Sequence, residues 1–227
     1  MPNVKNTMLD TLLSVVAPHL CCRCGASGTL FCDNCKYDII KHKYEVCVIC
    51  EKPAEKGVCD EHKSPYSQAW VVGIREGALQ RLIDCYKFRY ARSAADELAQ
   101  LLHMCIPLLP KGTIIVPIPT SRTHTRQRGY DHMYVIAKAL ASRRKLSCQK
   151  LIIKTASYTQ HTANRAQRLL QSKRSFKVTG IIDSSKDYLL VDDVLTTGAT
   201  IHDAARALKD AGAVTIRVAA IARQPLD

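Results

Sequence analysis

Residues 188–200 read Tyr188-Leu189-Leu190-Val191-Asp192-Asp193-Val194-Leu195-Thr196-Thr197-Gly198-Ala199-Thr200. The apolar run at 188–191 shows no polar alternation, as expected of a strand covered on both faces in a parallel sheet. Two carboxylates, Asp192 and Asp193, stand at its mouth, and a turn of small residues from Thr196 to Thr200 then opens a helix. Thr196, Thr197 and Thr200 supply hydroxyl donors, Gly198 lets the backbone turn tightly, and N–H groups at a helix start point at an entering anion. Together with Ala199 they form a monophosphate cradle. The paired acids suit vicinal ribose hydroxyls or a hydrated Mg²⁺. A capped helix after an acidic turn is the plainer alternative, but it does not need two carboxylates followed by four small positions. Neither a P-loop nor a G-x-G-x-x-G pattern occurs in the chain.

Outward from this segment, strand-like runs at 70–74, 113–118, 151–154 and 214–221 alternate with helical patterns at 79–88, 94–109, 130–144 and 200–211. Such alternation predicts an α/β fold with an open parallel sheet flanked by helices, whose ligands sit beyond the carboxyl ends of the strands. The polar stretch 155–175 is the one long connection, of a kind that in compact domains is usually functional or mobile. A second loop fits the same chemistry. After the strand at 113–118 the chain places Arg122, Arg126 and Arg128 before Gly129-Tyr130-Asp131. Guanidinium forks there match a pyrophosphate, the alternative being solvated arginines on a basic surface. Lys87, in Tyr86-Lys87-Phe88, is a further phosphate-side candidate.

The cysteines cluster before residue 65, where the composition changes. This gives an amphipathic helix and metal-binding module over 1–65 and an α/β domain over 66–227. Cys21-x2-Cys24 and Cys32-x2-Cys35 have the spacing that brings four thiolates around one tetrahedral zinc ion. Cys47-x2-Cys50 and Cys59-x2-His62 repeat the pattern, either for a second zinc or as a degenerate copy with unliganded thiols. Redox use of a single C-x-x-C belongs to a βαβ setting that is missing here. Cys22 is a bystander, and Cys85, Cys105 and Cys148 lie in apolar contexts suited to packing.

Eleven cysteines without a secretory leader point to a cytoplasmic protein with reduced, metal-bound thiols. No run of about 18 apolar residues offers a membrane span. The net charge of +13 is uneven: residues 1–65 hold equal numbers of acidic and basic groups, so the whole excess lies beyond them. Residues 132–182 carry Lys138, Arg143, Arg144, Lys145, Lys150, Lys154, Arg165, Arg168, Lys173, Arg174 and Lys177 with no acidic residue. A field of one sign suits a polyanion.

The strand, paired acids and Thr-Thr-Gly turn resemble the signature of type I phosphoribosyltransferases. The wider set, C-x-x-C pairs, Cys85-Tyr86-Lys87-Phe88, Val116-Pro117-Ile118-Pro119, Arg128-Gly129-Tyr130 and 191–200, resembles the ComF family over nearly the full chain. The resemblance implies a type I phosphoribosyltransferase fold binding phosphoribosyl pyrophosphate with Mg²⁺, a zinc finger, and a role with incoming single-stranded DNA in natural transformation. It makes the basic residues above, other than Lys177, the candidates for DNA contact. It leaves the balanced N-terminal module to a protein partner such as a competence helicase or recombination mediator. It also leaves open an active transferase on an unidentified acceptor. Six residues follow Ile221, so an acceptor pocket is expected to draw on the N-terminal module. Two positions depart from the family. Arg128-Gly129-Tyr130-Asp131-His132 stands where Arg-Gly-Phe-Asn-Gln is common, and Gln171 stands where an asparagine usually follows the arginine represented here by Arg168.

Overall fold

The computed structural model describes residues 19–41, 45–88, 92–120, 129–155 and 175–225. Its main sheet is five-stranded, in the order β1-β7-β6-β2-β3. These are β1 (Gln68–Ile74), β2 (Ile114–Pro117), β3 (Ser147–Cys148), β6 (Asp187–Leu195) and β7 (Thr215–Arg223), and every pairing is parallel. The helices are α1 (Asp33–Ile40), α2 (Gly77–Phe88), α3 (Arg92–Cys105), α4 (His132–Arg144) and α5 (Ala199–Asp210). The expected parallel α/β sheet is present.

Alternation along the strands builds two cores. Leu189 and Val191 of β6, with Ile115 of β2 and Ile221 of β7, join the core under α2, α3 and α4. Tyr188 and Leu190, with Val116 and Val218, join the core under α5. Successive strand residues point to opposite faces, so a strand covered on both must be apolar throughout. The helices match this with stripes. Ile201, Ala204, Ala205 and Leu208 are the buried residues of α5, at helical spacing. Met133, Ile136, Ala137, Leu140 and Ala141 do the same for α4.

The N-terminal module wraps the free edge of β1. Its first unit sends Cys21, Phe31 and Cys35 into the core under α2 and α3, and its second sends Val48 into the core under α5. Lys36 Nζ joins Glu97 of α3 at 2.6 Å, and Ala69 of β1 donates its N–H to the Lys56 carbonyl at 2.8 Å. Gly57 makes this approach possible, because a Cβ there would lie 2.0 Å from the Ala69 carbonyl oxygen. An otherwise open sheet edge is thereby covered.

Two expectations are corrected. The run at 151–154 is not a strand of the main sheet: β4 (Ile152–Lys154) pairs antiparallel with β5 (Phe176–Val178) in a separate ribbon. The edge of the main sheet is instead β3, only two residues long. The helix expected to reach 109 ends at Cys105, since the residue before Pro107 is steered out of the helical region. Arg144 caps that end, donating to the carbonyls of His103 and Pro107 at 2.7 Å and to that of Ile106.

Candidate functional site

The chain leaves β2 through α4 to β3 on one face and leaves β6 through α5 to β7 on the other, with β2 and β6 adjacent. That divergence opens a crevice at the carboxyl ends of β2 and β6, the usual ligand position in such sheets. β6 runs further than expected, through both acids to Leu195, so Asp192 and Asp193 are held by the ladder with β7. Gly198, at φ 76°, opens α5, and Thr196, Thr197, Ala199 and Thr200 around it are exposed. Thr197 Oγ1 accepts from the Ala199 N–H at 3.4 Å. All the cradle residues therefore converge on one helix start.

The two acids differ. Asp192 is buried, and burial together with the neighbouring Asp193 charge pushes its pKa up to about 8. Burial also opposes the charge on Asp193, but the hydrogen bond from His132 and the ammonium of Lys87 outweigh it and hold this acid well below the usual carboxylate range. His132 Nε2 stands 3.0 Å from Asp193 Oδ2, and Lys87 Nζ forms an ion pair with the same oxygen. Asp193 Oδ1 accepts from the Val194 N–H at 2.7 Å, and Asp192 Oδ1 from the Asp193 N–H at 2.9 Å. One ionised acid beside one that ionises only with help is a donor set suited to ribose hydroxyls or a hydrated Mg²⁺.

His132 is fixed from behind. Its Nδ1 lies 2.9 Å from Thr120 Oγ1, and Tyr86 donates to its carbonyl at 2.8 Å. Asp131 caps α4 by accepting from Tyr134 N at 3.3 Å, and it also accepts from Thr120 Oγ1 at 3.1 Å. The Asp131-His132 departure thus places a ring directly on Asp193, a contact its sequence position alone did not reveal. Lys87, near the end of α2, is brought to Asp193 by its ion pair. Arg122, Arg126 and Arg128 lie outside the described residues.

The cysteine sets assemble as their spacing predicts. The ligand atoms of Cys21, Cys24, Cys32 and Cys35, and of Cys47, Cys50, Cys59 and His62, each lie within 4.8 Å of one another. Cys24–Cys32 and Cys50–Cys59 sulfur pairs are both 3.7 Å apart, close to the edge of a tetrahedron with metal–sulfur bonds of about 2.3 Å. His62 Nδ1 lies 3.0 Å from Cys59 Sγ and 3.8 Å from Cys47 Sγ. Burial raises Cys21 and Cys47, yet the amides of each knuckle outweigh it and bring both thiols down to about 6. Both sets therefore fit zinc, which would leave the thiols as thiolates.

Of the polyanion candidates, Lys138, Lys145, Lys150 and Lys154 are exposed. Arg143 pairs with Asp96 at 2.5 Å, while Arg144 caps α3 as described. Lys150 Nζ sits 4.0 Å above the Tyr134 ring and 3.6 Å from Asp131. Arg165, Arg168, Lys173 and Arg174 lie outside the described residues, as does Gln171.

A phosphoribosyl transferase domain model matches residues 134–227. Competence protein ComFC of Bacillus subtilis (strain 168) is 24% identical over 200 residues, covering 80% of this chain and 78% of the relative. DNA utilization protein YhgH of Salmonella typhi is 27% identical over 229 residues, covering 92% of this chain and 99% of the relative. Competence protein F of Haemophilus influenzae is 24% identical over 223 residues, with coverage of 85% and 96%. Over most of its length the chain is similar to these competence and DNA-utilization proteins, and its C-terminal part to the phosphoribosyl transferase domain.

The phosphoribosyltransferase-like sheet, the acids on β6 and the two cysteine sets form a continuous body. The second set also reaches the turn at 196–200: a Cβ placed at Gly198 would lie 3.7 Å from Cγ1 of Ile49, which stands between Cys47 and Cys50. Among the described residues, no helix is long and apolar enough to cross a membrane.

Proposed function

We propose that this chain, as a member of the ComF family, handles incoming single-stranded DNA in natural transformation and carries a binding site for phosphoribosyl pyrophosphate with Mg²⁺. One observation carries the ligand reading. Asp192 and Asp193 lie near the carboxyl end of a central strand where the sheet connections diverge, a few residues before a helix start opened by Gly198. The 5-phosphate fits residues 196–200, with N–H groups and threonine hydroxyls as donors. The ribose hydroxyls fit Asp192 and Asp193. Lys87 stands on the pyrophosphate side, where Mg²⁺ bound to the ligand would neutralise the remaining charge.

The DNA reading rests on the names of the relatives and on charge. Exposed Lys138, Lys145, Lys150 and Lys154 offer phosphate contacts of the sequence-independent kind. The zinc-bearing module, balanced in charge, suits a protein partner such as a helicase or recombination mediator. A second reading, transfer of the ribosyl group to an unidentified acceptor, is favoured by Ile49, which gives the cradle a wall from the N-terminal module. It predicts pyrophosphate release with some nitrogenous acceptor, and failure across a broad panel of nucleobases and amines would exclude it. The adaptor reading is tested by a transformation assay of the Asp192→Ala/Asp193→Ala variant, which should lose transformation at normal protein abundance.

A further inference from the structure

Arg223, the last residue of β7, is fully buried and heads the largest buried side chains of the described residues. Its backbone is fixed on both sides: its carbonyl accepts from Arg75 N–H at 2.8 Å, and the next residue, Gln224, donates to the Leu195 carbonyl at 2.7 Å. Its guanidinium reaches two carbonyls, those of Leu195 and Ile49, each at 3.5 Å. Among the described residues Nε has no hydrogen-bond partner, and the carboxylate paired with it, Glu51, stands 3.9 Å away. Leu195 immediately precedes the phosphate cradle. Ile49 and Glu51 belong to the knuckle of the second cysteine set, and Ile49 packs toward Gly198.

A guanidinium taken wholly out of water needs negative charge and short hydrogen bonds to offset its lost hydration. Two long carbonyl contacts and one distant carboxylate supply little of either. Three thiolates and a neutral imidazole around Zn²⁺ carry one net negative charge. That anion lies close by, since the guanidinium meets the carbonyl of Ile49, the residue directly before Cys50 and two after Cys47. The cations at the first cysteine set have other partners: Arg23 meets Asp38 at 2.8 Å and Lys36 meets Glu97 at 2.6 Å. Only the second set has a buried cation left for the metal cluster to balance among the described residues.

We propose that Arg223 is a positioning residue that couples the second zinc site to the phosphate cradle. With zinc bound, the guanidinium holds the Ile49 and Leu195 carbonyls together, and the knuckle forms the wall over residues 196–200. Without zinc, the wall loosens and the cradle loses its preset shape. The consequence for affinity rests on the ligand reading above, and by linkage ligand binding would tighten zinc by the same factor.

The test uses the full chain and needs no ligand in its first arm. Hydrogen exchange at residues 202–205, whose amides close the first turns of α5 beside the cradle, is followed in wild type, Cys59→Ser, Arg223→Gln and the double variant, with residues 136–141 of α4 as the reference. The expected result is exchange about tenfold faster at residues 202–205 in each single variant, no further gain in the double variant, and an unchanged α4. Unchanged exchange at these amides, or full additivity, would overturn the proposal. If Arg223→Gln fails to fold, wild type stripped of its weaker zinc by a chelator gives the same readout, and α4 accelerating equally with these amides would overturn the coupling. A second arm measures phosphoribosyl pyrophosphate with Mg²⁺ by calorimetry at one and two zinc ions per chain. Equal affinity in both states overturns the coupling. Loop coupling with no binding in either state overturns only the ligand reading.

Discussion

His132 Nε2 lies 3.0 Å from Asp193 Oδ2, so a ring at the start of α4 holds the acid that also meets Lys87. This chain reaches the acid with an imidazole backed by Thr120 at 2.9 Å. A glutamine amide can donate to the same oxygen, whereas alanine cannot. His132→Gln should therefore keep ligand affinity within about threefold, while His132→Ala should lose about tenfold or more, the scale of one hydrogen bond to a charged group. Calorimetry on the two variants checks this, and equal losses would remove His132 from the site.

Asp192 sets a pH dependence of stability. Its folded pKa is raised to about 8 from the ordinary carboxylate value of 3.8, so between these values the folded chain binds the proton that the unfolded chain has released. Stability from this group thus falls as pH rises from about 4 to about 8. Asp192→Asn, which mimics the protonated form, should raise the melting temperature by a few degrees at pH 8 without Mg²⁺, and by little at pH 4. Asp193 acts in the opposite sense: its folded pKa is depressed, so its stabilisation is present above about 4 and lost as the solution is acidified below that. Thermal melts across this range separate the two acids.

Two zinc ions per chain are expected from the two sets. Cys24→Ser and Cys59→Ser should each reduce metal content by about one ion, measured by plasma emission on purified protein. A wild-type content of one would assign the second set to unliganded thiols.

DNA affinity should depend on exposed lysines and not on Arg144. Replacing Lys138, Lys145, Lys150 and Lys154 by glutamate should flatten the salt dependence of single-stranded DNA binding, each lost phosphate contact reducing the log–log slope by about 0.7. Arg144→Ala instead removes the cap of α3 and should cost about 1–2 kcal/mol of stability, with the salt slope unchanged. Anisotropy titrations over a salt series, beside denaturant melts, distinguish these outcomes.

The central elements were legible because their signals are local. An uninterrupted apolar run followed by two acids and small residues specifies β6 and the start of α5, and paired C-x-x-C spacing specifies the tetrads. What was misread depended on tertiary pairing. Ile152 and Ile153 look like a sheet strand but pair with β5, while Ser147 and Cys148 form the sheet edge without an apolar run to announce them. The His132–Asp193 contact spans 61 residues. Arg223 reads in sequence as an ordinary basic residue near the chain's end, and only the fold buries it between the cradle and the second knuckle.

The central claim is that residues 192–200 bind a ribose 5-phosphate group. Calorimetry of phosphoribosyl pyrophosphate with Mg²⁺ against wild type and Asp192→Ala/Asp193→Ala tests it most directly. Wild type should bind saturably and one-to-one, and the double variant at least about tenfold more weakly, with the zinc content of both proteins unchanged. No heat of binding to folded, zinc-loaded wild type, or equal affinity in the double variant, would contradict it.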